Sequence, residues 1–128
     1  ALQLIGTFGD LLLLSHYEDA TQFVPLVLIV VALLHLGWHL VRPSPGSVRS
    51  IQVLMCMFML AGLVGVGVHV QGAAAFQREI DPAQSTWTLL QKAVRAQAPP
   101  ALAPGMMLQM GLLGLVYAYR HPSSSFME

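Results

Sequence analysis

Residues 50–77 read SIQVLMCMFMLAGLVGVGVHVQGAAAFQ and contain no Asp, Glu, Lys or Arg. Residues 20–41 and 96–119 also lack these four residue types. An α-helix rises about 1.5 Å per residue, so roughly 20 apolar residues cross a hydrocarbon core about 30 Å thick. Each of the three stretches is long enough, and the sequence therefore predicts an all-α membrane protein with about three transmembrane helices.

The composition agrees with a surface that meets lipid. Of the 128 residues, 55% are hydrophobic and 9% are charged, whereas soluble domains carry about 25% charged residues. Six basic and six acidic residues give a net charge of zero, which provides no basic field for nucleic acid. We therefore expect the partners to be the lipid bilayer and other membrane-protein subunits.

Helical periodicity and prolines divide this single membrane domain into segments. The first 15 residues place Leu and Phe opposite Gln3, Thr7 and Asp10, which predicts an amphipathic helix at the membrane interface. The loop before the third span has a helical pattern between Asp81 and Ala96. The predicted segments are an interfacial helix at 1–15, spans at 23–41, 51–72 and 105–119, a partly helical outer loop at 73–103 and a tail at 120–128.

Small residues predict how the spans pack, because helices in lipid associate through close van der Waals contact. The second and third spans are the richer in such residues, namely Ala61, Gly62, Gly65, Gly67, Gly111, Gly114 and Ala118. We expect these two spans to form the closest pair and the first span to pack against them.

The positions of the cations predict the orientation. Arg42 and Arg49 lie in the first turn between spans and Arg120 follows the third span, so the positive-inside rule places the C-terminus in the cytoplasm and the N-terminus outside. The outer loop also carries three cations, but long loops count less in this rule. A bacterial inner membrane is expected. The opening residues ALQLIG lack the cationic region of a signal peptide.

His35 and His39 are the candidate cofactor-binding residues, because ionisable groups within a span often have a function. They lie one turn apart, towards the predicted cytoplasmic end of the first span. Three interpretations compete: a structural role, with hydrogen bonds to Tyr117 or a backbone carbonyl; ligation of haem b or a chlorophyll-type pigment; and a soft metal site with Cys56 and nearby methionines. His69 lies at the opposite end of its span, so any tetrapyrrole is expected to be five-coordinate or shared with another subunit.

A second group of polar residues is predicted at the outer rim. His16, Glu18 and Asp19 precede the first span and His69 ends the second. Imidazole and carboxylate are ligands for divalent metal ions such as zinc, so these four residues are candidate metal ligands. The alternative is a solvated rim held by surface ion pairs.

The sequence contains no complete set of catalytic residues that we can identify. The charge-free spans argue against a proton relay or an ion-coupled carrier, and no phosphate-binding loop or nucleophile elbow is present. The first hypothesis is a small non-catalytic subunit that packs against, anchors or assembles a larger membrane complex of the electron-transfer or photosynthetic kind. The alternatives are a haem- or pigment-binding electron-transfer protein using His35 and His39, and a metal-binding protein using the outer cluster.

Overall fold

The computed structural model describes residues 1–13, 22–94 and 102–122. Within these ranges the chain forms five α-helices and no β-strand. The helices are α1 Leu2–Leu13, α2 Phe23–Val41, α3 Pro45–Ile80, α4 Thr86–Val94 and α5 Leu102–Ala118. The all-helical architecture predicted from the sequence is confirmed, and α2 has the bounds predicted for the first span.

Helix α3 is longer at both ends than the predicted span of 51–72. It starts at Pro45 because Ser44 and Ser47 form a capping box, in which each side chain accepts a hydrogen bond from the other's backbone N–H. A proline in the first helical turn costs little, since that turn has no intrahelical partner for its N–H groups. The helix continues to Ile80, eight residues into the predicted outer loop.

The outer loop is partly helical, as predicted, but its helix is short. Ser85 accepts a hydrogen bond from the backbone N–H of Thr88 at 3.2 Å and so caps the start of α4. The residues from Asp81 to Ser85 form a turn instead of the first helical turn expected at Asp81. Leu89 is buried and attaches α4 to α3.

Helices α3 and α5 form the closest pair, in agreement with the prediction from small residues. They run antiparallel, because Gly65 and Gly62 of α3 meet the start of α5 at Pro104 whereas Met55 meets Gly114 near its end. A Cβ atom on Gly62 would lie 2.8 Å from the backbone oxygen of Pro104. Glycine is needed here because the two backbones approach too closely for a side chain.

Helix α2 packs against α3, and α1 packs along α2 and α5. Leu11, near the end of α1, lines a cavity with Pro25 of α2 and Pro104 of α5, and Nε2 of Gln3 near its start contacts Sδ of Met106 of α5 at 3.8 Å. Leu4, Thr7 and Leu11 of this helix are buried, whereas Ile5 is exposed. The interfacial position that the sequence predicts for this helix stays a prediction.

The outer surface of the bundle is strongly apolar. Helices α2 and α3 are long and apolar enough to cross a membrane, but only 28% of the apolar window of each is buried. The core helix of a soluble protein is mostly buried, whereas these helices direct most of their large apolar side chains outwards. The outward residues include Val27, Val30, Leu34, Val53, Leu60, Leu63, Leu112 and Val116.

Candidate functional site

The polar side chains of the bundle gather at the end where α2 stops, α3 starts and α5 stops. His39, in the last turn of α2, is 2% exposed, and Ser47, in the first turn of α3, is also buried. His35 lies one turn before His39 and is partly buried. The structure thus brings both predicted histidines to one site, together with a serine that the sequence analysis did not single out.

Ser47 forms hydrogen bonds with both imidazoles. Its carbonyl oxygen lies 3.1 Å from Nε2 of His35, and its Oγ lies 2.7 Å from Nδ1 of His39. The same hydroxyl donates to the carbonyl of Ser44 at 2.8 Å. Since a hydroxyl has one proton to donate, Nδ1 of His39 is the donor in its bond with Ser47.

The bond between His35 and Ser47 determines the tautomer of a neutral His35. A carbonyl oxygen can only accept a hydrogen bond, so Nε2 of His35 carries the proton. In a neutral imidazole the other nitrogen is then an acceptor. His35 therefore offers Nδ1 as a hydrogen-bond acceptor.

Two aromatic side chains from the end of α5 close the site around His39. The ring centroid of Tyr117 lies 6.1 Å from that of His39, and the centroid of His121 lies 5.1 Å from it. His121 reaches this position because the chain turns back after α5 at Arg120, which has a φ of 50°. This left-handed conformation commonly ends a helix, although glycine usually provides it.

The arrangement suits a structural role for the two histidines better than tetrapyrrole ligation. His39 is 2% exposed and is enclosed by Tyr117 and His121, which leaves no space for a large flat ring beside its free nitrogen, Nε2. Nε2 of His35, the nitrogen most exposed on an imidazole, already donates to a carbonyl. The cofactor-binding role predicted for His35 and His39 stays a prediction.

The predicted outer metal site falls mostly outside the described residues. His16, Glu18 and Asp19 lie in the segment 14–21, which the structure does not describe. His69 is exposed and lines a cavity of about 380 Å³ with Gln22, Pro25 and Pro104, at the end of the bundle opposite His39. Within the described ranges, no three His, Cys, Asp or Glu residues lie together as a metal site requires. The outer metal site stays a prediction.

A second cavity adjoins the histidine site. It has a volume of about 340 Å³ and lies between α1, α2, α3 and α5. Three polar side chains line it, Gln3, His35 and Tyr117. The rest of its wall is apolar and includes Ala32, Leu54, Met55, Met110 and Leu113.

Sequence reasoning missed Ser47 and His121 for different reasons. A signal for Ser47 exists, because two serines three residues apart around a proline indicate a helix cap. His121 has no such signal, since its contact with His39 depends on a left-handed residue that is not glycine.

Comparison with known proteins identifies no relative. The sequence matches no protein-family model, and it has no significant match among curated proteins or among solved structures.

Proposed function

We propose that this chain is an integral membrane protein in which α2, α3 and α5 each span the bilayer. The outward apolar faces of these helices support this, because such large exposed apolar surfaces are unfavourable in water. Helix α5 has 17 residues, which is within the range of about 17–25 residues for a spanning helix. Helix α1 then packs beside the spans on the membrane-facing surface.

Pairs of cations and aromatic rings support one boundary of the membrane. The guanidinium of Arg42 lies 5.7 Å from the ring centroid of Trp38, and that of Arg120 lies 5.4 Å from the ring centroid of Tyr119. Trp and Tyr favour the headgroup level, and both pairs lie at the His39 end of the bundle. By the positive-inside rule we assign this end to the cytoplasmic face of a bacterial inner membrane.

In this membrane the protein acts as a small non-catalytic subunit that anchors or assembles a larger complex. One observation supports this role above all. Starting from Ile51, roughly 20 residues of α3 cross the hydrocarbon core, so the helix leaves it near residue 71 and continues to Ile80. Phe76 and Ile80 lie on this extension, and each is about 60% exposed.

Helix α4 adds to the same surface. It packs on α3 through Leu89 and leaves Trp87 and Leu90 exposed. We call these four exposed apolar residues, Phe76 and Ile80 of α3 and Trp87 and Leu90 of α4, the outer patch. Apolar patches beyond the hydrocarbon core are typical of protein–protein contacts, and the outer patch is where we expect a larger subunit to bind. A complex of the electron-transfer or photosynthetic kind is the class we expect.

Affinity capture from native membranes tests the proposal. Gentle solubilisation, capture through a C-terminal tag and mass spectrometry at native size should yield larger membrane subunits in stoichiometric amounts. Recovery of a lone monomer or homodimer would refute the assembly role.

A pair of variants locates the contact on the outer patch. Combined Phe76→Ala and Ile80→Ala substitutions should reduce the amount of co-purified partner at least severalfold, since these side chains are mostly exposed and available to a partner. Leu63→Ala is the matched control, because Leu63 is equally exposed on α3 but lies within the span. Equal losses from both variants would exclude the outer patch as the specific contact.

A further inference from the structure

The cavity of about 340 Å³ beside His35 has the features of a small-molecule site. Such sites measure about 300–1,000 Å³ and combine apolar walls with a few polar groups. Here the polar groups come from three helices: Gln3 of α1, His35 of α2 and Tyr117 of α5. We propose that this cavity binds the head group of a lipid-soluble p-hydroquinone.

The position of the cavity indicates a ligand that arrives through lipid. Leu113 and Tyr117 on the cavity wall are about half exposed on the outer surface of the bundle. A molecule that enters between these side chains comes from the hydrocarbon layer. The ligand is therefore apolar overall, with polar atoms confined to its head group.

The hydrogen-bonding groups of the cavity lie at two ends. Nε2 of Gln3 contacts Sδ of Met106 at 3.8 Å, which places Gln3 towards the start of α5. Tyr117 lies near the end of α5. From Met110 to Tyr117 the wall of the cavity extends about 10 Å along the helix axis. A p-hydroquinone ring fits this length. Its two oxygen atoms lie on opposite sides of the ring, and a hydrogen bond of about 2.8 Å at each oxygen brings the total close to that of the cavity wall.

The tautomer of His35 favours binding of the hydroquinone over binding of the quinone. Nε2–H of His35 donates to the carbonyl of Ser47, so Nδ1 accepts. A hydroquinone hydroxyl can donate to Nδ1, whereas the oxidised quinone has only acceptor atoms. Tyr117 and Gln3 can each donate to an oxygen of either form. The reduced ligand therefore makes one more hydrogen bond in this cavity than the oxidised ligand.

Binding to the purified protein in lipid nanodiscs tests the proposal. The probes are a decyl-substituted p-hydroquinone kept under anaerobic conditions, its quinone and its dimethyl ether, each compared with empty nanodiscs. We expect saturable binding of one hydroquinone per protein and affinities at least about tenfold lower for the quinone and the ether, as the loss of a hydrogen bond implies. No saturable binding, or equal binding of the ether, would overturn the proposal.

Variants locate the site. His35→Phe and Tyr117→Phe should each weaken hydroquinone binding by about tenfold, whereas the matched controls His69→Phe and Tyr119→Phe, outside the cavity, should not change it. Because His35→Phe also removes a bond to Ser47, Ala32→Leu provides an independent test: it fills the cavity and leaves that bond in place. Unchanged binding by a folded Ala32→Leu protein would overturn the assignment.

This proposal stands apart from the assembly role. If affinity capture recovers no partner but the purified protein binds hydroquinone, only the assembly role is refuted. Partner capture with no hydroquinone binding would refute the ligand site alone.

Discussion

Nδ1 of His39 lies 2.7 Å from Oγ of Ser47, so one buried hydrogen bond joins the last turn of α2 to the first turn of α3. The same serine completes the capping box of α3 and accepts the Nε2–H of His35 through its carbonyl. The turn between α2 and α3 and the orientation of two histidines thus depend on one side chain and its backbone.

Ser47→Ala is expected to lower the free energy of unfolding by about 1–3 kcal/mol, because it removes one of the two hydrogen bonds of the capping box and leaves a buried donor on His39 without a partner. Thermal unfolding in detergent measures the change. Ser50→Ala is the control: Ser50 is exposed and bonds only the carbonyl of Gly46, so its effect should stay within about 0.5 kcal/mol. A Ser47→Ala protein as stable as this control would contradict the role of Ser47.

Two glycines of α3 provide a matched pair of variants that tests its contact with α5. Gly62→Ala should destabilise the bundle by about 1–3 kcal/mol, because the new Cβ would lie 2.8 Å from backbone and side-chain atoms of α5. At Gly67 the new Cβ would have no described atom of another residue within 4 Å, so Gly67→Ala should leave stability unchanged or raise it. Thermal unfolding of both variants under identical conditions checks the difference, and equal effects would mean that α3 and α5 do not approach closely at Gly62.

Thr7 offers a stabilising substitution. It is 4% exposed, and its Oγ1 has no hydrogen-bond partner among the described residues. Replacing an unpartnered buried hydroxyl by a methyl group of similar shape removes a desolvation cost, so Thr7→Val is expected to stabilise the protein by about 1–2 kcal/mol. Thr7→Ser keeps the hydroxyl and should not stabilise. A lower unfolding temperature for Thr7→Val would show that the hydroxyl has a partner after all.

The sequence was sufficient to predict an all-helical chain and its closest pair of helices, because long charge-free stretches favour helices and small residues favour close helix packing. It was not sufficient to predict the inward face of α1. In water the apolar face of a helix turns inwards, whereas α1 exposes Ile5 and buries Thr7. Amphipathicity alone therefore does not identify the packed face.

Part of the candidate site was predictable from the sequence, and part was not. His35 and His39 stand out because ionisable residues are rare in apolar spans. Their partners depend on how three helix ends meet, and that meeting includes the left-handed turn at Arg120. Local sequence carries no signal for such a turn when the residue is not glycine.

Helix α4 should be attached to the bundle mainly through Leu89, which is 3% exposed, whereas its neighbour Leu90 is 43% exposed. Leu89→Ala is expected to cost about 2–3 kcal/mol locally and to speed hydrogen exchange in α4, with the spans unchanged. Leu90→Ala should leave exchange in α4 unaltered. Faster exchange throughout the bundle would mean that α4 and the spans unfold together.

The orientation can be determined with single cysteines in a Cys56→Ser background. Gly46 and Glu79 are exposed near opposite ends of α3. If the turn with Arg42 and Arg49 is cytoplasmic, as the positive-inside rule indicates, an impermeant maleimide should label Glu79→Cys in spheroplasts but should label Gly46→Cys only after the membrane is permeabilised. Labelling of both sites after permeabilisation shows that both thiols are reactive. Labelling of Gly46→Cys in intact spheroplasts would reverse the assignment, and would place the outer patch and its expected partner in the cytoplasm.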